Sequence, residues 1–181
     1  MAPEVIVSGV DESFVAPDTS STVRGLAALK GQAVQQAIGT PDQATVLIAA
    51  DTMLDMGGVS HGKPHSPAVA RARLHAMSGA SGVLFTGHYV AVAPAAGQWS
   101  ARTDVAATTV HFAKMTDDEI EAYLATGEPL EVAGSFTIDG IGGPFITGVE
   151  GDPHNVVGLS LPLVRVMLAE LGVPWPALWA S

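Results

Sequence analysis

The chain has 181 residues, 48% of them hydrophobic and 14% charged, which suits one domain or two closely packed lobes and excludes disorder. Eighteen acidic against eight basic residues give a net charge of −10, the wrong sign for wrapping a nucleic-acid polymer. The absence of cysteine removes disulfides, thiolate nucleophiles and cysteine-based zinc sites, and no apolar run approaches the roughly 20 residues that cross a bilayer.

The start, Met1-Ala-Pro-Glu, has neither a basic nor an apolar leader region, so a cytoplasmic protein without a membrane partner is expected. Val5-Ile6-Val7 reads as a short strand leading into Asp11-Glu12. A helix follows from about Thr22 to Ile38, with an apolar stripe of Val23, Leu26, Ala27, Ala33, Val34 and Ala37. Lys30 sits on that stripe. Burying an unpaired ammonium is costly, so Lys30 either snorkels to water or meets a ligand.

Thr45 to Thr52 is the most informative stretch. Five apolar residues, Val46 to Ala50, stop at Asp51, which reads as a strand buried on both faces in a parallel sheet, with the carboxylate at its end. Ligands collect beyond such ends, although an Asp that merely terminates a strand fits the same pattern. A glycine-rich loop with Gly62-Lys63-Pro64 comes next. Ser66-Pro67 caps a helix to about Met77, and Gly82–Ala93 and Gln98–Phe112 form a long hairpin. Thr116-Asp-Asp-Glu119 is a capping box for a helix ending before Gly127. Six glycines between Ala133 and Asp152 indicate loops and short strands, and Ser160 caps the last helix, Leu161 to Leu171.

Asp11-Glu12, Lys30, Asp51 and Lys63 thus come from four elements. Carboxylates hold Mg²⁺ or Mn²⁺ through oxygen, and lysines offset the remaining charge of a polyphosphate. Other patterns fail. Position 53 is Met, where a haloacid-dehalogenase-like phosphatase needs a second Asp, and no P-loop occurs. The histidines at 61, 65, 75, 88, 111 and 154 are too scattered for zinc.

An ordered series of short segments resembles the Maf proteins, which are nucleoside triphosphate pyrophosphatases. The segments are Ser8-Gly9-Val10-Asp11-Glu12, Leu29-Lys30-Gly31-Gln32-Ala33, Ala50-Asp51-Thr52, Gly62-Lys63-Pro64, Leu74 to Gly79, Thr86-Gly87, Ala133-Gly134-Ser135-Phe136 and Gly151 to Leu159. The resemblance covers residues 5 to about 172. It implies a single Maf-like domain over residues 1–181, of α/β class, with an elongated mixed sheet and two lobes flanking a deep cleft, frequently dimeric. It also implies hydrolysis of a nucleotide to its monophosphate and pyrophosphate.

By position, Asp51 resembles the family's catalytic carboxylate and Glu12 its partner at a divalent metal, Mg or Mn. Lys30 and Lys63 resemble clamps on the triphosphate. Thr52 resembles the branch favouring dTTP and UTP, while Asp139 stands where that branch carries Gln in the loop after Ala133-Gly134. Members of the family open with an apolar strand and a Ser/Thr-x-Arg-Arg segment. The arginines here, at 24, 71, 73, 102 and 165, form no such pair. An exposed, partly apolar groove beside the Asp51 strand, or some cover for it, is therefore expected. The resemblance implies a house-cleaning hydrolase acting on dTTP, UTP or modified nucleotides. The alternative is a weak or inactive nucleotide-binding regulator related to cell division.

Overall fold

The computed structural model describes residues 3–179. Helix α1, Thr19–Ile38, starts three residues earlier than its apolar stripe suggests, because the Asp18 side chain accepts a hydrogen bond from the Ser21 amide. Then come β1 (Thr45–Met56), β2 (Val59–His61), α2 (Pro67–Met77), β3 (Ser81–Ala93), β4 (Ser100–Phe112), α3 (Asp117–Ala125), β5 (Ile146–Glu150), α4 (Pro153–Val157) and α5 (Leu161–Glu170). The side chains of Ser66, Thr116 and Ser160 cap α2, α3 and α5 as expected, with the full capping box at Thr116 and Glu119.

The α/β class stands, but the strand pairing differs from the parallel sheet expected. The strands lie in the order β2-β1-β3-β4-β5, and all four pairings are antiparallel. The apolar run that suggested a doubly covered strand is covered unevenly: Leu47 is buried, whereas Ile48 is 40% exposed. Asp51 accordingly lies in the middle of β1, opposite Gly87 of β3, and does not end a strand.

Val5–Val7 is no strand either. It forms no backbone pairing, and Val5 and Val7 are each 89% exposed, since an extended segment needs a neighbouring strand to become one. β1 pairs with β2 only over residues 54–56, so along 45–53 the described residues bind it on the β3 side alone. The expected groove is present there. Val34, Ile38 and Val46 to Ala50 line it, and Glu4, Ile6 and Ser8 lie alongside as a partial cover.

Because side chains alternate along a strand, β3 feeds two cores. Tyr89 and Ala91 pack with Ala27 of α1 and Leu47, while Val90 packs with Val164, Met167 and Leu168 of α5. A third cluster joins Leu54, Leu84, Val110, Phe112 and Phe136, and a fourth joins α2 to α3 through Leu74, Ile120 and Tyr123. Gly87 sets the height of α1 above the sheet. A Cβ there would collide with the Val23 carbonyl, so the glycine lets the helix backbone rest on β3 directly opposite Asp51.

His88 is fully buried and structural. The Ser160 amide donates to its Nε2 at 2.9 Å, which leaves the proton on Nδ1 to donate to the Thr86 carbonyl, also at 2.9 Å. No described helix is long and apolar enough to cross a membrane.

Candidate functional site

A cleft of about 510 Å³ lies against β1, and Glu12, Lys30, Asp51, Thr52, Lys63 and Asp139 all line it. The six residues expected from the sequence therefore meet in one place, although they come from a coil, a helix, a strand and two loops. Asp51 and Thr52 are adjacent on a strand and point to opposite faces, yet both reach the cleft. The unpaired stretch of β1 permits this, because no neighbouring strand separates the two faces there.

Lys30 reaches Asp51 because α1 sits close over Gly87. Its Nζ donates to Asp51 Oδ1 at 2.6 Å and lies 2.9 Å from Glu12 Oε1. It is neither a snorkelling lysine nor a free cation, since its charge is shared by two carboxylates. Burial works against that charge more than any other single influence, but the hydrogen bonds and charges of Asp51 and Glu12 together raise the Lys30 pKa. Asp51 is 8% exposed, and burial, its largest influence, pushes the carboxyl above its ordinary range. Lys30 pulls against that rise without reversing it, and the Glu12 charge adds to it. Asp51 Oδ2 is buried and has no hydrogen-bond partner. A buried carboxylate with one oxygen anchored and the other without a hydrogen-bond partner retains acceptor capacity for a cation or a proton.

Thr52 is fixed in a defined polarity. Thr86 Oγ1 donates its proton to the Asn155 carbonyl at 3.2 Å. The 3.0 Å bond between Thr52 Oγ1 and Thr86 Oγ1 must then be donated by Thr52. Thr52 therefore faces a ligand as an acceptor.

Lys63 is exposed and makes no ion pair among the described residues. Its loop is held from behind, where the Gly62 carbonyl accepts from the Arg73 guanidinium at 2.5 Å and from the Gly134 amide at 3.3 Å.

Asp139 is exposed, on a loop whose Thr137 also lines the cleft. His65, Glu131 and Phe136 line it too and were not foreseen. His65 lies two residues beyond Lys63 with a φ of 57°, in the left-handed region that non-glycine residues rarely adopt. Among the described residues, no group of three or more His, Asp or Glu side chains is placed to hold a metal ion. Any protein-held cation would draw on Asp51 Oδ2 and Glu12, with the remaining ligands supplied by water and substrate oxygens.

The sequence profile of the family described as Maf-like protein matches residues 1–171. A nucleoside triphosphate pyrophosphatase of Salinispora tropica is 52% identical over 180 residues, covering 98% of this chain and 78% of the relative. One from Streptomyces coelicolor is 48% identical over 181 residues, covering 99% and 85%. One from Nocardia farcinica is 45% identical over 183 residues, covering 98% and 86%. The chain belongs to the Maf family.

Proposed function

We propose that the protein is a nucleoside triphosphate pyrophosphatase that hydrolyses dTTP, UTP or modified nucleotides to the monophosphate and pyrophosphate, with Mg²⁺ or Mn²⁺ bound. The observation that carries this reading is the Asp51 carboxylate. One oxygen is held by Lys30, and the other is buried, unpartnered and beside the cleft. Asp51 orients an attacking water and accepts its proton, a role for which a raised carboxyl pKa is suited. Lys63, the cleft ammonium without a carboxylate partner among the described residues, binds the phosphate tail.

The charge balance argues for a metal. Four carboxylates (Glu12, Asp51, Glu131, Asp139) and two ammoniums (Lys30, Lys63) line the cleft, so it is net negative before a substrate of about four negative charges arrives. A divalent cation held by Asp51 and Glu12 supplies charge neutralisation to the phosphates when bound. The preference for dTTP and UTP rests on Thr52, whose fixed acceptor matches the N3–H of a thymine or uracil ring. On this reading the protein acts on a nucleotide in the cytoplasm, as a homodimer.

The test is pyrophosphate release from dTTP, UTP, their modified analogues and the purine triphosphates, with Mg²⁺ or Mn²⁺ and with EDTA. Metal-dependent release with equimolar monophosphate is expected, and EDTA should abolish it. Nucleotide binding without turnover would overturn the reading. It would favour the regulatory alternative, which the engagement of Lys30 by two carboxylates already supports by leaving little free positive charge for phosphates.

A further inference from the structure

The loop that carries Asp139 has no regular structure of its own, yet its shape is closely determined, and one side chain outside the cleft determines it. Glu128 lies in a short 3-10 turn just after α3. Its Oε1 accepts hydrogen bonds from the Tyr123 hydroxyl at 2.8 Å, the Thr137 hydroxyl at 2.6 Å and the Gly142 amide at 2.9 Å. Its Oε2 accepts from the Ile141 amide at 2.9 Å. One carboxylate therefore ties α3 to both ends of the 137–142 loop. The approach is close enough to dictate sequence. A Cβ at Gly140 would stand 2.5 Å from Glu128 Oε2, and one at Gly142 would collide with the Tyr123 hydroxyl. The Ile138-Asp139-Gly140 turn is bounded on both sides by groups bonded to Glu128, while Thr137 and Asp139 face the cleft.

We infer that Glu128 is a positioning residue for nucleotide selection: by fixing the 137–142 loop, its carboxylate sets where Asp139 and Thr137 meet the nucleobase. The inference rests on the proposed pyrophosphatase reading and goes beyond it in naming a residue that touches no substrate. Two features of the geometry favour selection over general support. The four donors come from the 137–142 loop and from the helix behind it, and none comes from β1, where Asp51 sits. Thr137 spends its proton on Glu128, so toward a ligand it presents acceptor lone pairs only, in the same sense as the Asp139 carboxylate. Glu128 thus controls both the position and the polarity of that wall.

Glu128→Gln is the discriminating variant. It keeps the shape, but an amide has one acceptor oxygen. With that oxygen at the Oε1 position, its NH₂ faces the Ile141 N–H, donor against donor. Wild type and variant are compared by kcat and KM across pyrimidine and purine triphosphates. The preferred nucleotide should lose about tenfold in KM, the size of one charge-assisted hydrogen bond, and the ratio of kcat/KM between best and worst bases should fall correspondingly. Saturated kcat should stay within about threefold, because the Asp51 side is untouched. Tyr123→Phe, which removes one of the four donors, should move the ratio in the same direction by less.

A merely structural role would scale all nucleotides alike, whatever it did to the folding midpoint. An unchanged ratio in Glu128→Gln, or a wild type that turns nucleotides over without discriminating among bases, overturns the inference while the pyrophosphatase reading survives. A wild type that turns over none of them defeats that reading itself.

Discussion

Asp51 and Glu128 serve the same cleft in opposite ways. Asp51 lines it, buried, with one oxygen held by a single lysine and the other without a partner, and burial drives its pKa up. Glu128 stands behind the 137–142 loop with four donors on its two oxygens. Burial again pushes its pKa upward, but the hydrogen bonds from Thr137, Ile141, Tyr123 and Gly142 prevail and bring it down to about 2. A carboxylate left short of partners keeps chemistry available, whereas a saturated one has given its capacity to architecture. On the proposed function, that difference separates a reacting group from a supporting one within a single site.

The largest effect that tests the contrast is on turnover. Asp51→Asn should lower it by at least about a hundredfold, as expected for loss of a general base. Next comes Lys63→Met, which should raise KM for the triphosphate by about tenfold through loss of a charge-assisted contact, with binding that weakens as salt is added to the wild type. Lys30→Met should act on stability. It strands Asp51 as a buried, unpaired carboxylate and should cost about 1–3 kcal/mol in a denaturant titration. A neutral or stabilising result would return Lys30 to the snorkelling role that its helix stripe alone permitted.

The smallest effect is in acid. The Glu128 carboxyl lies below its ordinary 4.5 when folded, so its contribution is full above about pH 4.5 and is lost as pH falls toward about 2. Asp51 has the opposite sign, since a raised folded pKa means that its contribution is present at low pH and lost as pH rises through the folded value. The acid limb of the stability curve should therefore be shallower in Glu128→Gln than in wild type, measured as urea midpoint against pH.

Local signals were legible in the sequence wherever one side chain meets a nearby amide. The caps at Ser66, Thr116 and Ser160 and the long β3–β4 hairpin fall where spacing placed them. Pairing direction was not legible. An apolar run such as Val46 to Ala50 is compatible with either neighbour orientation, and antiparallel β3 supplies the partner only in three dimensions. Val5–Val7 had strand composition and found no strand to pair with.

At the site, the residue pattern brought forward Glu12, Lys30, Asp51 and Lys63, the family resemblance added Thr52 and Asp139, and all six converge on the cleft. Neither could foresee that Lys30 is engaged by Glu12 and Asp51 together. Glu128 passed unnoticed because its donors lie at positions 123, 137, 141 and 142, a set that only the folded loop assembles.

The contrast is tested most directly by measuring kcat and the thermal midpoint on the same preparations of wild type, Asp51→Asn and Glu128→Gln. Asp51→Asn should lose turnover while its midpoint holds or rises, because a buried carboxylate with an unpartnered oxygen is replaced by a neutral isostere. Glu128→Gln should keep saturated turnover and lower the midpoint. Near-normal turnover in Asp51→Asn, or turnover lost only in proportion to stability, would contradict the account.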